Sequence, residues 1–182
     1  IEEIAPAFPG AEKSFAVLMR YGKNQPLARE FKGGNRMMFG QPAYQGDPSK
    51  TDAWRAWLLA RRADIEADWA DLAPVRAWWA ELSTFDRIGD LTPPTYDAEV
   101  MAFAPVRVYS QHAIAIASLQ AIDGRGDDAV ATLLPLLQGG RRLQPSARTL
   151  VRFMIGIVLE KMAIQTAGFI LEQTTVSSEM KA

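Results

Sequence analysis

The sequence has no cysteine and only one histidine, His112. Without cysteine the chain can form neither a disulfide nor a thiolate metal site, and it has no cysteine nucleophile. With one imidazole, a zinc site would depend mostly on carboxylate ligands, and a Ser-His-Asp triad could form only around His112. These absences remove the commonest metal and nucleophile chemistries, so we expect no metal site and no cofactor.

The chain also has almost no net charge. The 20 basic and 21 acidic side chains give a formal net charge of -1. Proteins that bind nucleic acid usually present a strongly basic face, because they must neutralise phosphates. The charge balance therefore predicts that nucleic acid is not a partner.

Long hydrophobic runs are missing as well. The most apolar stretch, Leu150–Leu171, is interrupted by Arg152, Glu160 and Lys161, and its longest unbroken run is the seven residues Phe153–Leu159. A helix needs roughly 20 apolar residues to cross a bilayer, so we expect no direct membrane insertion by this chain. Because the sequence does not begin with methionine, an anchor or signal peptide ahead of it stays open. We expect a periplasmic location or a membrane-anchored soluble domain rather than the cytoplasm.

What the chain does contain is helical periodicity. Residues 1–50 hold 11 glycines and prolines, which predicts a loop-rich segment that wraps over the rest of the fold. From Thr51 onward, apolar residues recur three and four positions apart, which predicts tryptophan-rich helices over residues 51–82. Three more helices are predicted over residues 97–173. The pattern therefore indicates an all-α fold, an irregular helical bundle that forms one domain over residues 1–182.

The last of these helices is predicted to be the centre of the core. Apolar side chains occupy most of its circumference, at Leu150, Phe153, Met154, Ile157, Val158, Met162 and Ile164. A helix with so little polar surface must be covered on several sides in water, so we expect Phe153 to be enclosed. Ser146 is the predicted N-cap, and Gly156, which is costly inside a helix, indicates a close approach of another helix.

Residues 116–137 resemble a single tetratricopeptide repeat. The matching positions are the pair Ile116 and Ala117, the turn Gly126 and Asp127, the small Ala129 and the bulky Leu133. The proline-terminated end of the repeat is missing and no second copy follows, so the resemblance implies a helical hairpin rather than a repeat protein. The hairpin and the apolar helix after it also resemble bacterial envelope proteins. Arginine outnumbers lysine 14 to 6, which is typical of GC-rich bacterial genomes.

Trp78 and Trp79 are the candidate partner-binding residues. Adjacent residues lie about 100° apart on a helix, so these two side chains cannot share one narrow apolar stripe. One interpretation is that one of them is a partly exposed anchor, because tryptophan is enriched among the residues that dominate interfaces. A core shared between two helix layers explains the pair as well.

Asp64, Asp68 and Asp71 lie at positions i, i+4 and i+7 and so share one helical face. Carboxylates placed in this way can bind a hard cation or act as an acid and a base. Nearby arginines favour the simpler interpretation of a solvated acidic face. His112 lies on the apolar side of its helix, where a buried histidine with satisfied hydrogen bonds is favoured over a general base.

These features favour a non-enzymatic protein–protein interaction domain of a bacterial, envelope-associated protein. Its expected partner is another protein, bound through Trp78 and Trp79 or through a groove between helices, and self-association is left open. An immunity-type inhibitor of a secreted toxin is one alternative. The other alternative is an enzyme whose site the fold assembles from Asp64, Asp68 or His112.

Overall fold

The structure, a computed structural model, describes residues 8–21, 50–93 and 103–177, and within these ranges it contains seven α-helices and no strand. The helices are α1 (Ala11–Leu18), α2 (Thr51–Ala60), α3 (Arg62–Asp71), α4 (Ala73–Leu82), α5 (Phe103–Ile122), α6 (Gly126–Leu143) and α7 (Leu150–Gln173), with a 3₁₀ turn, Met19–Tyr21, after α1. The prediction of an all-α fold is confirmed. Most of the segment 1–50, predicted to wrap over the fold, lies outside the described residues.

α5 is the central helix. Fourteen of its 20 residues are buried, and it contacts α2, α3, α4, α6 and α7. Its buried alanines, among them Ala113, Ala115 and Ala117, let neighbouring helices approach on several sides at once. The buried hydroxyl of Ser118 accepts a hydrogen bond from Nε1 of Trp54 on α2 at 3.3 Å, so a polar group inside the core is satisfied.

α7 packs with one face only, against α6 and α5. The residues buried on that face include Arg152, Gly156, Leu159, Ala163, Thr166 and Ile170. Phe153 lies on the other face and is 41% exposed, so the prediction of an enclosed Phe153 in a central helix is wrong. The physical reason is that a helix that is apolar around its whole circumference does not indicate which face is packed.

Glycines set the distance between α6 and α7. A Cβ atom added to Gly156 would lie 2.7 Å from the carbonyl oxygen of Gly140, and one added to Gly140 would lie 2.9 Å from the carbonyl oxygen of Gly156. Both distances are shorter than a van der Waals contact, so the two backbones meet where a side chain would clash. The prediction that another helix approaches closely at Gly156 is confirmed.

The start of α7 is fixed by Thr149. This residue has an extended backbone, with φ -111° and ψ 139°, and its Oγ1 accepts a hydrogen bond from the backbone N–H of Arg152 at 3.2 Å. Thr149 is therefore the N-cap. The predicted cap, Ser146, is wrong, because its hydroxyl lies before the helix and donates to the carbonyl oxygen of Ile88 instead.

α5 and α6 form the helical hairpin that the sequence predicted. The residues 123–125 join the two helices, which pack against each other. α6 continues through Pro135 and ends at Leu143. The resemblance of this hairpin to a tetratricopeptide repeat stays a prediction.

Candidate interaction surface

Trp78 and Trp79 are both core residues. Trp78 is 4% exposed and its Nε1 donates a hydrogen bond to the carbonyl oxygen of Val17 at 2.7 Å. Trp79 is fully buried and its Nε1 donates to the carbonyl oxygen of Pro135 at 2.9 Å. α4 lies between α1 on one side and α5 and α6 on the other, so its two adjacent tryptophans face different neighbours. The prediction of an exposed indole here is wrong, and the alternative of a core shared by two layers is confirmed.

Asp68 and His112 form a buried pair. Nε2 of His112 lies 3.2 Å from Oδ2 of Asp68, and the side chains of His112 and Asp68 are 0% and 2% exposed. Asp64 and Asp71 are exposed, and among the described residues no three His, Asp or Glu side chains are grouped as metal ligands. The prediction of a solvated acidic face is wrong for Asp68, whose side chain lies in the core between α3 and α5. The prediction of a buried, hydrogen-bonded His112 is confirmed.

The second ring nitrogen of His112 shows where the protons lie. Nδ1 is 2.8 Å from the carbonyl oxygen of Val108, which can only accept, so Nδ1 carries a hydrogen. One more proton must lie between Nε2 and the carboxyl group of Asp68, because two lone pairs would otherwise face each other. Nε2 thus joins α5 to α3, whereas Nδ1 is satisfied within α5.

We expect Asp68→Asn to be tolerated far better than Asp68→Ala. The amide nitrogen of asparagine can donate to Nε2 of a neutral His112, so the contact keeps one hydrogen between its two atoms. Alanine leaves Nε2 buried without that hydrogen bond, which costs about 1–3 kcal/mol. Urea unfolding of the two variants measures the difference. An equal loss of stability in both would show that this hydrogen bond does not hold the helices together.

The solvent-facing side of α7 is apolar. Of the ten large apolar side chains exposed in the described ranges, eight lie on this helix. They are Leu150, Val151, Phe153, Met154, Ile157, Val158, Ile164 and Leu171, with exposed fractions from 41% to 72%, and we call them the α7 face. Single exposed apolar residues are ordinary on protein surfaces, whereas contiguous apolar groups are typical of surfaces that contact a protein, a membrane or a ligand.

A groove of about 620 Å³ runs between α5 and α7 beside the α7 face. α5 contributes Val106, Arg107 and Ser110 to its walls, and α7 contributes Val151, Met154 and Val158. The last three residues also belong to the α7 face, so the groove and the face form one surface. The volume lies in the range of about 300–1,000 Å³ that is usual for small-molecule pockets.

No protein-family model, curated protein or solved structure matches this chain.

α7 is also long and apolar enough to cross a membrane, and by these two criteria it is alone among the described helices. Its most apolar window of 18 residues is 33% buried against the rest of the protein. The core helix of a soluble protein meets the same criteria, so the prediction that the chain does not insert directly into a membrane stays a prediction.

Proposed function

We propose that this protein is a non-enzymatic interaction domain that holds a helix of a partner protein against α7. The α7 face carries the proposal, because it leaves eight large apolar side chains of one helix in contact with water. Full burial of such a side chain contributes about 1.5–3 kcal/mol relative to full exposure. An apolar surface of this extent adds little to the stability of the monomer, and a contact with another molecule explains it best.

The α7 face has the area of one side of a protein interface. With about 200 Å² for a large apolar residue, its exposed fractions correspond to roughly 800 Å². The largest apolar patch of a typical monomer covers about 300–600 Å², whereas each partner in a standard interface contributes about 800 Å². The face is therefore larger than a monomer ordinarily leaves in water.

The groove gives this surface its shape. A helix that lies along α7 would place side chains over the groove, where Val106 and Met154 form opposite walls. A bulky side chain seated there would lose its contact with water, which is the property of the residues that dominate binding energy. Recognition of an amphipathic helix by an apolar groove is a common mode of protein binding.

The enzyme alternative has less support than the binding surface. Asp68 and His112 are sealed in the core, and Asp64 is exposed and apart from that pair. None of these three residues lies on the walls of the groove between α5 and α7. An immunity-type inhibitor of a secreted toxin is one form that an interaction domain can take. We keep it, with a bacterial and envelope-associated setting, as part of the proposal.

We expect Ile157→Glu to weaken binding of a helical partner strongly without unfolding the domain. Ile157 is 43% exposed within the α7 face, so a charge there changes the stability of the monomer by about 0.5 kcal/mol or less. A complex would have to bury the charge, which is unfavourable. The probe is a synthetic amphipathic peptide with leucine at its heptad a and d positions, titrated into isotopically labelled protein. Amide shifts should change on α7 and on the groove side of α5, and the affinity should fall at least about tenfold in the variant.

Leu59→Glu is the matched control. Leu59 is exposed to a similar extent, 46%, but lies on α2 and outside the α7 face. This variant should bind the peptide as the unchanged protein does. Peptide binding that survives Ile157→Glu, or shift changes centred on another surface, would contradict the proposal. Binding of phosphatidylglycerol vesicles in place of the peptide, lost in Ile157→Glu, would assign the face to a membrane surface instead.

A further inference from the structure

The exposed side of α7 carries a seam with heptad spacing, in which five of the seven residues are large and apolar. Every position at the alternating spacing of four and three residues is exposed, and these positions are Leu150, Met154, Ile157, Lys161, Ile164, Gly168 and Leu171. This is the a and d spacing of a heptad repeat, with which two helices pack side by side. The 24 residues of α7 span about 36 Å at 1.5 Å per residue, so a partner helix can lie along the whole seam.

Lys161 is the one charged residue of the seam and lies at its centre. No residue three or four positions away on α7 is charged, since these are Ile157, Val158, Ile164 and Gln165. The adjacent Glu160 faces the end of α6, where Nε of Arg141 donates to its Oε1 at 2.8 Å and Nε2 of Gln144, the residue after the helix, donates to its Oε2 at 3.0 Å. These two hydrogen bonds lower the pKa of Glu160. Its carboxylate is therefore already bound at the end of α6.

A second copy of this chain does not complement Lys161. In a parallel pair the two Lys161 side chains would meet at the same a position and repel each other. In an antiparallel pair a positions face d positions, and the two registers with the most overlap set Lys161 against Ile157 or Ile164 of the other copy. Each arrangement buries an ammonium group without a carboxylate, which is unfavourable.

From the charge of the seam we infer that its occupant is a helix of a different protein, with apolar residues at its own a and d positions and a glutamate or aspartate facing Lys161. The inference rests on the proposed function and adds the register and the chemistry of the partner. It also centres the partner helix on the seam, which meets the groove at Met154. A polar residue at one a position fixes the register of the two helices. It lowers the stability of the complex, and an opposite charge on the partner offsets this loss. A lipid surface offers neither a heptad repeat nor a carboxylate at a fixed position.

Two synthetic peptides test this inference. Both consist of three heptads with leucine at a and d, and they differ only in the central seam residue, which is glutamate in one and lysine in the other. At concentrations where each peptide alone is monomeric, the unchanged protein should bind the glutamate peptide about tenfold more tightly or better, as measured by fluorescence anisotropy. High salt should reduce this difference. Lys161→Glu should invert the preference, and Lys161→Met should bind the two peptides alike.

The other outcomes separate this inference from the proposed function. The unchanged protein could bind both peptides with equal affinity, and Ile157→Glu could lose binding of both. This result would overturn the inference of an acidic residue in the partner and leave the proposed function standing. If neither peptide binds, both are overturned. Sedimentation equilibrium tests the remaining occupant, because a dimer of this chain that Ile157→Glu converts to a monomer would make a second copy the partner and overturn the inference.

Discussion

Replacing Trp79 by alanine is expected to lower the free energy of unfolding by about 3–5 kcal/mol. The ring is fully buried, and a Cβ atom added to Gly139 of α6 would lie 2.3 Å from its Cζ2. The substitution therefore removes the side chain on which α6 packs, together with the hydrogen bond from Nε1 to the carbonyl oxygen of Pro135. Guanidinium unfolding followed by circular dichroism measures the loss. A Trp79→Ala protein as stable as the unchanged one would contradict the packing of α4 against α6.

Phe153→Ala is the matched comparison on α7. Phe153 is 41% exposed, so its truncation should cost about 1 kcal/mol or less. The sequence predicted an enclosed Phe153, and it left a partly exposed tryptophan of α4 as one of two interpretations. A loss of about 3 kcal/mol or more from Phe153→Ala, as is usual for an enclosed phenylalanine, would show that the α7 face is covered in solution.

The helices themselves follow from local sequence, but the identity of the central helix does not. α5 and α7 are both apolar around their circumference, so periodicity predicts two helices and does not rank them. The difference lies in side-chain size. α5 buries small residues such as Ala113, Ala115 and Ser118, which allow close neighbours on every side, whereas eight of the large apolar residues of α7 lie on its exposed face. The prediction took large apolar residues as evidence of enclosure, when the small ones were the better guide.

The packed face of α7 did have a signal in the sequence. Arg152, Gly156, Ala163 and Thr166 are small or polar residues that lie on one side of an otherwise apolar helix. Small residues mark the place where another backbone approaches, and the buried Arg152 and Thr166 need partners that a neighbouring element supplies. The prediction of close approach at Gly156 used part of this signal. If small and polar residues had been used to assign the whole packed face, the opposite side of α7 would have been predicted to be exposed.

The pairing of Asp68 with His112 depends on tertiary structure. The two residues are 44 positions apart, and no local pattern relates them. The sequence could predict that a histidine on an apolar helix face has satisfied hydrogen bonds, because a buried polar group without them is costly. It could not predict which residue satisfies them, because the contact exists only once α3 packs on α5.

Arg152→Ala is expected to lower the free energy of unfolding by about 3–5 kcal/mol. The guanidinium group reaches from α7 to the segment after α4, where it donates to the carbonyl oxygens of Ile88 at 2.6 Å and Gly89 at 2.7 Å. It also lies 3.2 Å from Oδ2 of Asp90, and the side chains of Arg152 and Asp90 are only 5% and 0% exposed. Alanine would leave a buried carboxylate without its opposite charge and two carbonyl oxygens without this donor.

The ion pair of Arg141 with Glu160 provides the control for this prediction. It also joins a guanidinium group to a carboxylate, at 2.8 Å, but the side chain of Arg141 is 61% exposed. Arg141→Ala should therefore cost at most about 1 kcal/mol, because solvent screens an exposed pair. If Arg152→Ala costs no more than Arg141→Ala, the buried pair does not anchor α7 to the segment after α4.

The effect of Arg152→Ala should also depend on pH. Burial alone would raise the pKa of Asp90, but the hydrogen bonds from Thr92 and Arg148 and the charge of Arg152 outweigh it and hold that pKa below its ordinary value. A carboxyl group whose pKa is lowered by folding stabilises the fold above its unfolded-state pKa, and this contribution is lost as the pH falls through the folded value. A protonated Asp90 is uncharged and is stabilised little by the guanidinium group. The difference in the free energy of unfolding between the unchanged protein and Arg152→Ala should therefore be largest at neutral pH and should narrow below about pH 4. A difference that stays constant on acidification would assign the loss to the hydrogen bonds with the carbonyl oxygens of Ile88 and Gly89 rather than to the charge of Asp90.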